Sequence, residues 1–96
     1  MPKLSIIIVN YNVKEFILNL LKSITSAAKD FSYEVIIVDN ASDDGSIEVI
    51  KEKYPSVNLI VNNKNVGFGK ANNQALLQAK GEFFLLLNPD TIVKED

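Results

Sequence analysis

No cysteine, histidine or arginine occurs among the 96 residues of this chain. Without cysteine there is neither disulfide nor thiolate chemistry, and without histidine there is no imidazole to bind zinc or move protons near neutral pH. All 10 positive charges are lysines and the formal net charge is -2. No broad basic field is available to attract nucleic acid or an anionic membrane surface, so neither is expected as a partner. Long apolar runs are also missing. None approaches the ~18 residues of a membrane span, and the run following Met1 is too short for a signal peptide. The segment is therefore expected to be cytoplasmic. Its chemistry has to come from Asp, Glu, Lys, Tyr and side-chain amides.

With 47% hydrophobic and 23% charged residues, the composition is that of a single globular domain. A chain of this size can bury roughly 60–70% of the surface exposed when unfolded. Four apolar runs, the first three rich in β-branched residues, Leu4–Val9, Glu34–Val38, Val57–Val61 and Glu82–Leu87, alternate with segments of helical period, Val13–Ala28, Ser46–Tyr54 and Gly69–Lys80. That order predicts βαβ units and a parallel sheet, and the unbroken apolar character of the strands predicts helices on both faces. The expected fold class is α/β, a Rossmann-like parallel sheet of about four strands. In the first helix Phe16, Ile17, Leu20, Leu21, Ile24 and Ala28 form one stripe, with Asn12 as the expected cap and Glu15 its reciprocal partner. Asp43 and Asp44 sit where the dipole of the second helix favours negative charge. Phe68, Phe83 and Phe84 are expected in the core. The chain stops a few residues after the fourth strand, which predicts an exposed edge there and self-association through it.

The polar residues gather at strand ends: Asn10-Tyr-Asn12 after the first, Asp39-Asn-Ala-Ser42 after the second, Asn88-Pro-Asp90 after the fourth. Right-handed crossovers put these ends on one rim, where open α/β sheets bind ligands. Tyr11 with Asn10 can flank a nucleobase, and Asp39 can accept hydrogen bonds from it. Asp90 can hold Mg²⁺ or Mn²⁺, hard cations that prefer oxygen ligands. Lys70, near a helix N-terminus, can face a diphosphate.

The ordered blocks Ser5-Ile-Ile-Ile-Val-Asn-Tyr-Asn12, Glu34-Val-Ile-Ile-Val-Asp-Asn-Ala-Ser-Asp-Asp-Gly-Ser46, Asn65-Val-Gly-Phe-Gly-Lys-Ala-Asn-Asn73 and Gly81-Glu-Phe-Phe-Leu-Leu-Leu-Asn-Pro-Asp90 resemble family 2 glycosyltransferases of the GT-A fold. The resemblance implies that residues 1–96 are the N-terminal, nucleotide-sugar-binding half of such a domain, with the acceptor half absent. It implies inverting transfer of a sugar from a UDP-, dTDP- or GDP-linked donor to a saccharide or lipid-linked acceptor, in cell-surface polysaccharide synthesis. The full-length protein would be cytoplasmic or peripheral to the cytoplasmic membrane. The donor-binding residues implied are Val9, Asn10, Tyr11, Asn12, Asp39, Lys70, Asn73, Asn88 and Asp90, with Asp90 as the metal ligand. Asn88 stands where the family's D-x-D motif has its first Asp, a variant similar to rhamnosyltransferase-like members. The catalytic base is expected beyond Asp96, so the segment alone is expected to be inactive.

Other readings fit less of the chain. A nucleotidyltransferase would carry a Gly-rich basic loop after strand one, and Asn10-Tyr-Asn-Val-Lys14 has no glycine. A non-catalytic α/β nucleotide-binding or receiver-like module would place an acidic pair there and an acceptor Asp after strand three, where this chain has Asn10 and Asn62-Asn63.

Overall fold

The computed structural model describes residues 2–27 and 32–87. In chain order the elements are β1 (Leu4–Asn10), α1 (Lys14–Ala27), β2 (Tyr33–Asn40), α2 (Ser46–Lys53), β3 (Asn58–Asn62), α3 (Phe68–Gln78) and β4 (Phe83–Leu87). The strands form one parallel sheet in the order β3-β2-β1-β4. The chain steps outward from β1 to β2 to β3, then returns past both to reach β4. Strand order therefore reverses between β1 and β4, which makes their carboxyl ends a topological switch point.

Alternation along the strands explains why they read as continuous apolar runs. Ile6, Ile8, Val35 and Ile37 face α1 and α2, packing on Ile17, Leu21, Ile24 and Ile50. Ile7, Val9, Ile36 and Val38 face the other way, onto Ala71 and Ala75 of α3. Each fully buried side chain of this size contributes roughly 1.5–3 kcal/mol. Alanines on α3 let that helix approach β1 and β2 closely.

Several expectations need correction. The side chain of Val9, one of the expected donor-binding residues, packs in the α3-facing core. Phe16, on the predicted stripe of α1, is exposed, as is Phe68. β4 is an edge strand as predicted, yet Phe83, Phe84, Leu85 and Leu86 are each between 43% and 59% exposed. They are apolar without being core because α3 lies over β1 and β2 and no described helix covers β4. Ala28 falls outside the described residues.

A clasp at the amino ends of the strands fixes where β4 enters the sheet. The Glu34 carboxylate accepts hydrogen bonds from the Ser5 hydroxyl (2.6 Å) and the Lys80 backbone N–H (2.6 Å). Ser5 Oγ in turn accepts from the Gly81 N–H (2.8 Å), and Lys3 O accepts from the N–H groups of Glu82 and Phe83. Gly81 lies so close to β1 that an added Cβ would stand 2.7 Å from the backbone nitrogen and Oγ of Ser5. Partial burial alone would raise the Glu34 carboxyl. The Ser5 hydroxyl, the Lys80 N–H and charge, and the Gly81 N–H outweigh it and hold the group below the ordinary glutamate range.

Gly81→Ala is expected to destabilise the fold by about 1–3 kcal/mol through this backbone clash, measured by denaturant unfolding. The depressed Glu34 carboxyl makes a separate prediction. Its contribution is complete above the unfolded-state value and is lost as pH falls through the folded-state value. Thermal midpoints should therefore drop on acidification, and Glu34→Gln should flatten part of that drop. An unchanged slope would remove Glu34 from the account.

Candidate functional site

β1 and β2 each run past their predicted ends, so Asn10 and Asp39 belong to the strands. Register sets them directly opposite one another. Both side chains point to the α1/α2 side, following Ile8 and Ile37, and both are 0% exposed. A buried carboxylate is tolerated only when its oxygens are paired. Asp39 Oδ1 accepts from Asn10 Nδ2 at 2.7 Å, and Oδ2 accepts from the Ser42 N–H at 2.8 Å. Asn10 Nδ2 also donates to Ser46 Oγ (2.9 Å) at the start of α2 and reaches Ser42 Oγ (3.3 Å). Asn10 Oδ1 is buried with no partner.

The loops above this pair are stitched together. Asn12 N–H donates to Ser42 Oγ (2.9 Å), and Asn12 Oδ1 accepts from the Asp43 N–H (2.8 Å). Asn12 sits at φ 51° and Ala41 at φ 68°, left-handed values that asparagine adopts more readily than alanine. The expected capping of α1 by Asn12 and Glu15 is replaced by a cap from a distant residue. Asp44 Oδ2 accepts from the Lys14 N–H that opens α1 (3.0 Å), while Oδ1 accepts from the Ser46 N–H (3.0 Å) and hydroxyl (2.6 Å) that open α2. One carboxylate thus serves two helix N-termini. Partial burial pushes Asp44 up, and the hydrogen bonds from the Ser46 hydroxyl and N–H and the Lys14 N–H outweigh it, holding it below the usual aspartate range.

A second polar network lies on the α3 side of the rim. Asn40 Oδ1 accepts from Asn62 Nδ2 (3.0 Å), and Asn62 and Gln74 exchange reciprocal hydrogen bonds (2.8 and 2.9 Å). This ties β2 and β3 to α3. Asn40, although it opens an Asn-Ala-Ser sequence, is 2% exposed. Sequence alone places Ser42 and Asn62 at strand ends without a hydrogen-bonding role, and gives no role to Ser46 or Gln74. The register partner of Asn40 is Asn62, and two amides ending adjacent strands are the signal that could have found that pair.

Tyr11 is about half exposed beside the buried pair, and Asn12 is exposed. Lys70 and Asn73 are exposed on α3, and their side chains make no hydrogen bond or ion pair among the described residues; α3 itself begins without a side-chain cap. Asn88 and Asp90 lie outside the described residues. Among the described residues no cluster of three or more His, Cys, Asp or Glu side chains could hold a metal. Among the rim carboxylates, Asp39 and Asp44 already accept protein hydrogen bonds on both oxygens, and Asp43 stands exposed. A concavity of about 360 Å³ bounded by Leu21, Ile24, Tyr33, Tyr54 and Val57 lies toward the opposite end of β2. It is remote from the rim.

The model of the family described as glycosyl transferase family 2 matches residues 5–96. The poly(ribitol-phosphate) β-N-acetylglucosaminyltransferase TarS of Staphylococcus aureus is 34% identical over 102 residues, covering 100% of this chain and 18% of that protein. Among solved structures, the mannosyltransferase PcManGT of Pyrobaculum calidifontis in complex with GDP-Man and Mn²⁺ superposes with a TM-score of 0.82 at 29% identity, over 93% of this chain and 28% of that one. S. aureus TarS 1–349 in complex with UDP-GlcNAc gives a TM-score of 0.78 at 36% identity, over 92% of this chain and 26% of that one. The four-stranded parallel sheet and its helices match these GT-A glycosyltransferase structures. The chain thus spans only a fraction of the length of its relatives.

Asp44→Asn leaves one acceptor oxygen where two helix starts each need one, and is expected to lower stability by about 0.5–2 kcal/mol. Denaturant titration at neutral pH reads this directly. The difference should shrink as pH falls through the depressed Asp44 value, because the wild-type carboxylate then loses its advantage.

Proposed function

This chain belongs to glycosyl transferase family 2, and we propose that it binds the activated donor for an inverting transfer from a UDP-, dTDP- or GDP-sugar. The observation that carries this reading is the Asn10–Asp39 pair, held in register at the carboxyl ends of β1 and β2 beside the switch point. With Asn10 and the Ser42 N–H each occupying one lone pair, the remaining lone pairs of Asp39 can only accept. The complementary base therefore presents an N–H donor; uracil, thymine and guanine offer a ring N–H, whereas cytosine and adenine offer only an exocyclic amine set differently on the ring. Asp39 has no exposed surface, so donor entry displaces the rim above it.

Tyr11 offers an aromatic face for the base next to this acceptor. Asn12 holds the loop that carries Tyr11 against Ser42 and Asp43. The uncapped start of α3 and Lys70 in its first turn suit a diphosphate, with Asn73 on the following turn. Asn88 would hydrogen-bond a ribose hydroxyl. The metal assignment rests on Asp90 and on family membership: Mg²⁺ or Mn²⁺ held there would neutralise charge developing on the leaving diphosphate.

In the proposed reaction an acceptor hydroxyl attacks the anomeric carbon as its bond to the diphosphate oxygen breaks, and a general base takes the hydroxyl proton. The base is assigned to sequence after Asp96, together with the surfaces that select a saccharide or lipid-linked acceptor for cell-surface polysaccharide. Residues 1–96 then bind and orient donor without transferring sugar. The apolar edge at β4 supports self-association of the isolated segment. No described helix is long and apolar enough to cross a membrane, which suits a cytoplasmic enzyme or one peripheral to the membrane.

Calorimetric titration with UDP, dTDP, GDP and CDP, with and without Mn²⁺, tests the assignment. At least one of the first three should bind tenfold or more tightly than CDP, Asp39→Asn should erase that preference, and Asp90→Ala should erase the Mn²⁺ dependence. Equal affinity for all four nucleotides would contradict the role of Asp39.

A further inference from the structure

We infer that Asn10 is a positioning residue: with its amide hydrogens committed inside the protein, it aims the Asp39 carboxylate and thereby sets which nucleobase the rim accepts. The inference rests on the reading of Asp39 as base acceptor and adds to it a residue that acts through Asp39.

The argument begins with an imbalance in one side chain. Asn10 Nδ2 has two hydrogens and three acceptors, Asp39 Oδ1 at 2.7 Å, Ser46 Oγ at 2.9 Å and Ser42 Oγ at 3.3 Å, while its Oδ1 is buried with none. Rotating the amide would leave Oδ1 only one possible donor, the Ser42 hydroxyl at the longest of the three distances, 3.3 Å. The rotated oxygen would also meet Asp39 Oδ1, an acceptor, and Ser46 Oγ, whose hydrogen is already given to Asp44. The amide is locked with its donors toward β2 and α2, and its carbonyl is left orphaned by that choice. Buried polar atoms without partners are uncommon in folded proteins and call for a physical explanation. Here the explanation is that the whole donor capacity of Asn10 is committed to the acceptors around Asp39.

The consequence for Asp39 is directional. Ser42 N–H holds Oδ2 from its own loop, three residues on. Asn10 holds Oδ1 from the neighbouring strand, which is fixed by the β1–β2 ladder. Without Asn10 the carboxylate can rotate about the Cβ–Cγ bond, and its free lone pairs no longer point one way. Serine at position 10 is shorter and cannot span to Asp39 and Ser46 together. The amide hydrogens of Asn10 are committed to Asp39, Ser46 and Ser42, with Asp39 the shortest of the three contacts, so its effect on a ligand is carried chiefly by Asp39.

A double-mutant cycle tests this, using the full chain, Asn10→Ser, Asp39→Asn and the pair, each titrated with CDP and with whichever of UDP, dTDP and GDP binds most tightly. Asn10→Ser is expected to reduce the preference over CDP by tenfold or more, and adding it to Asp39→Asn should change the preference no further. An unchanged preference in folded Asn10→Ser would overturn the inference and leave the reading of Asp39 standing. Additive losses would also overturn it, because they would mean that Asn10 touches the ligand. Absence of nucleotide binding by the unsubstituted chain would remove the functional reading and this inference together. Should Asn10→Ser fail to fold, the side-chain amide of Asn10 supplies a second readout by NMR. Its protons should stay slow to exchange with and without nucleotide, and rapid exchange in either state would overturn the inference.

Discussion

Asp39 is a carboxylate with no exposed surface, and its burial is the constraint around which the rim is organised. It can be accommodated only if a donor reaches each oxygen, and those donors come from two different sources: a side chain on the adjacent strand and a backbone N–H from its own loop. The first requires β1 and β2 to be parallel and in one particular register. A slip of a single residue would turn Asn10 to the α3 face and leave Asp39 unpaired. The isoleucines and valines below impose the same register through packing. Core and site therefore demand one arrangement, and each stabilises the other.

From this pair the order spreads outward through hydrogen bonds that are long in sequence and short in space. Asn10 links to Ser46, Ser46 to Asp44, and Asp44 to the first turn of α1. The starts of both helices on one face are thus referred to the same point on the sheet. At the opposite end of the strands, Glu34, Ser5 and Gly81 perform a comparable task for β4. The rim presents half-exposed Tyr11 and free Lys70, whereas the lower clasp presents a close backbone approach and no convergent free groups. That contrast is the reason the donor site is proposed at the rim and the clasp is read as structural.

The architecture was legible because its signals are local. Four apolar runs separated by helical periods lead to the observed order of elements, and their lack of alternation leads to helices on two faces. Asn10 and Asp39 were legible as rim residues because each follows an apolar run. Their burial was not, since it depends on residues some thirty positions apart meeting across a ladder. The Asn12–Glu15 cap failed for a related reason: a local motif lost to Asp44, whose two oxygens could satisfy two helices from outside either one. Phe83 and Phe84 misled because hydrophobicity reports a preference for burial, while burial itself needs a covering layer. β4 has no such layer among the described elements.

Ala41 remains at φ 68°, between buried Asn40 and the bonded Ser42. An L-residue in that conformation carries about 1–2 kcal/mol of steric strain that glycine would escape. Glycine would also enlarge the unfolded ensemble and soften the turn. By retaining a methyl group there, the chain gives up some equilibrium stability for stiffness, and the segment that hands the Ser42 N–H to Asp39 behaves as a pre-tensioned bracket more than as a hinge.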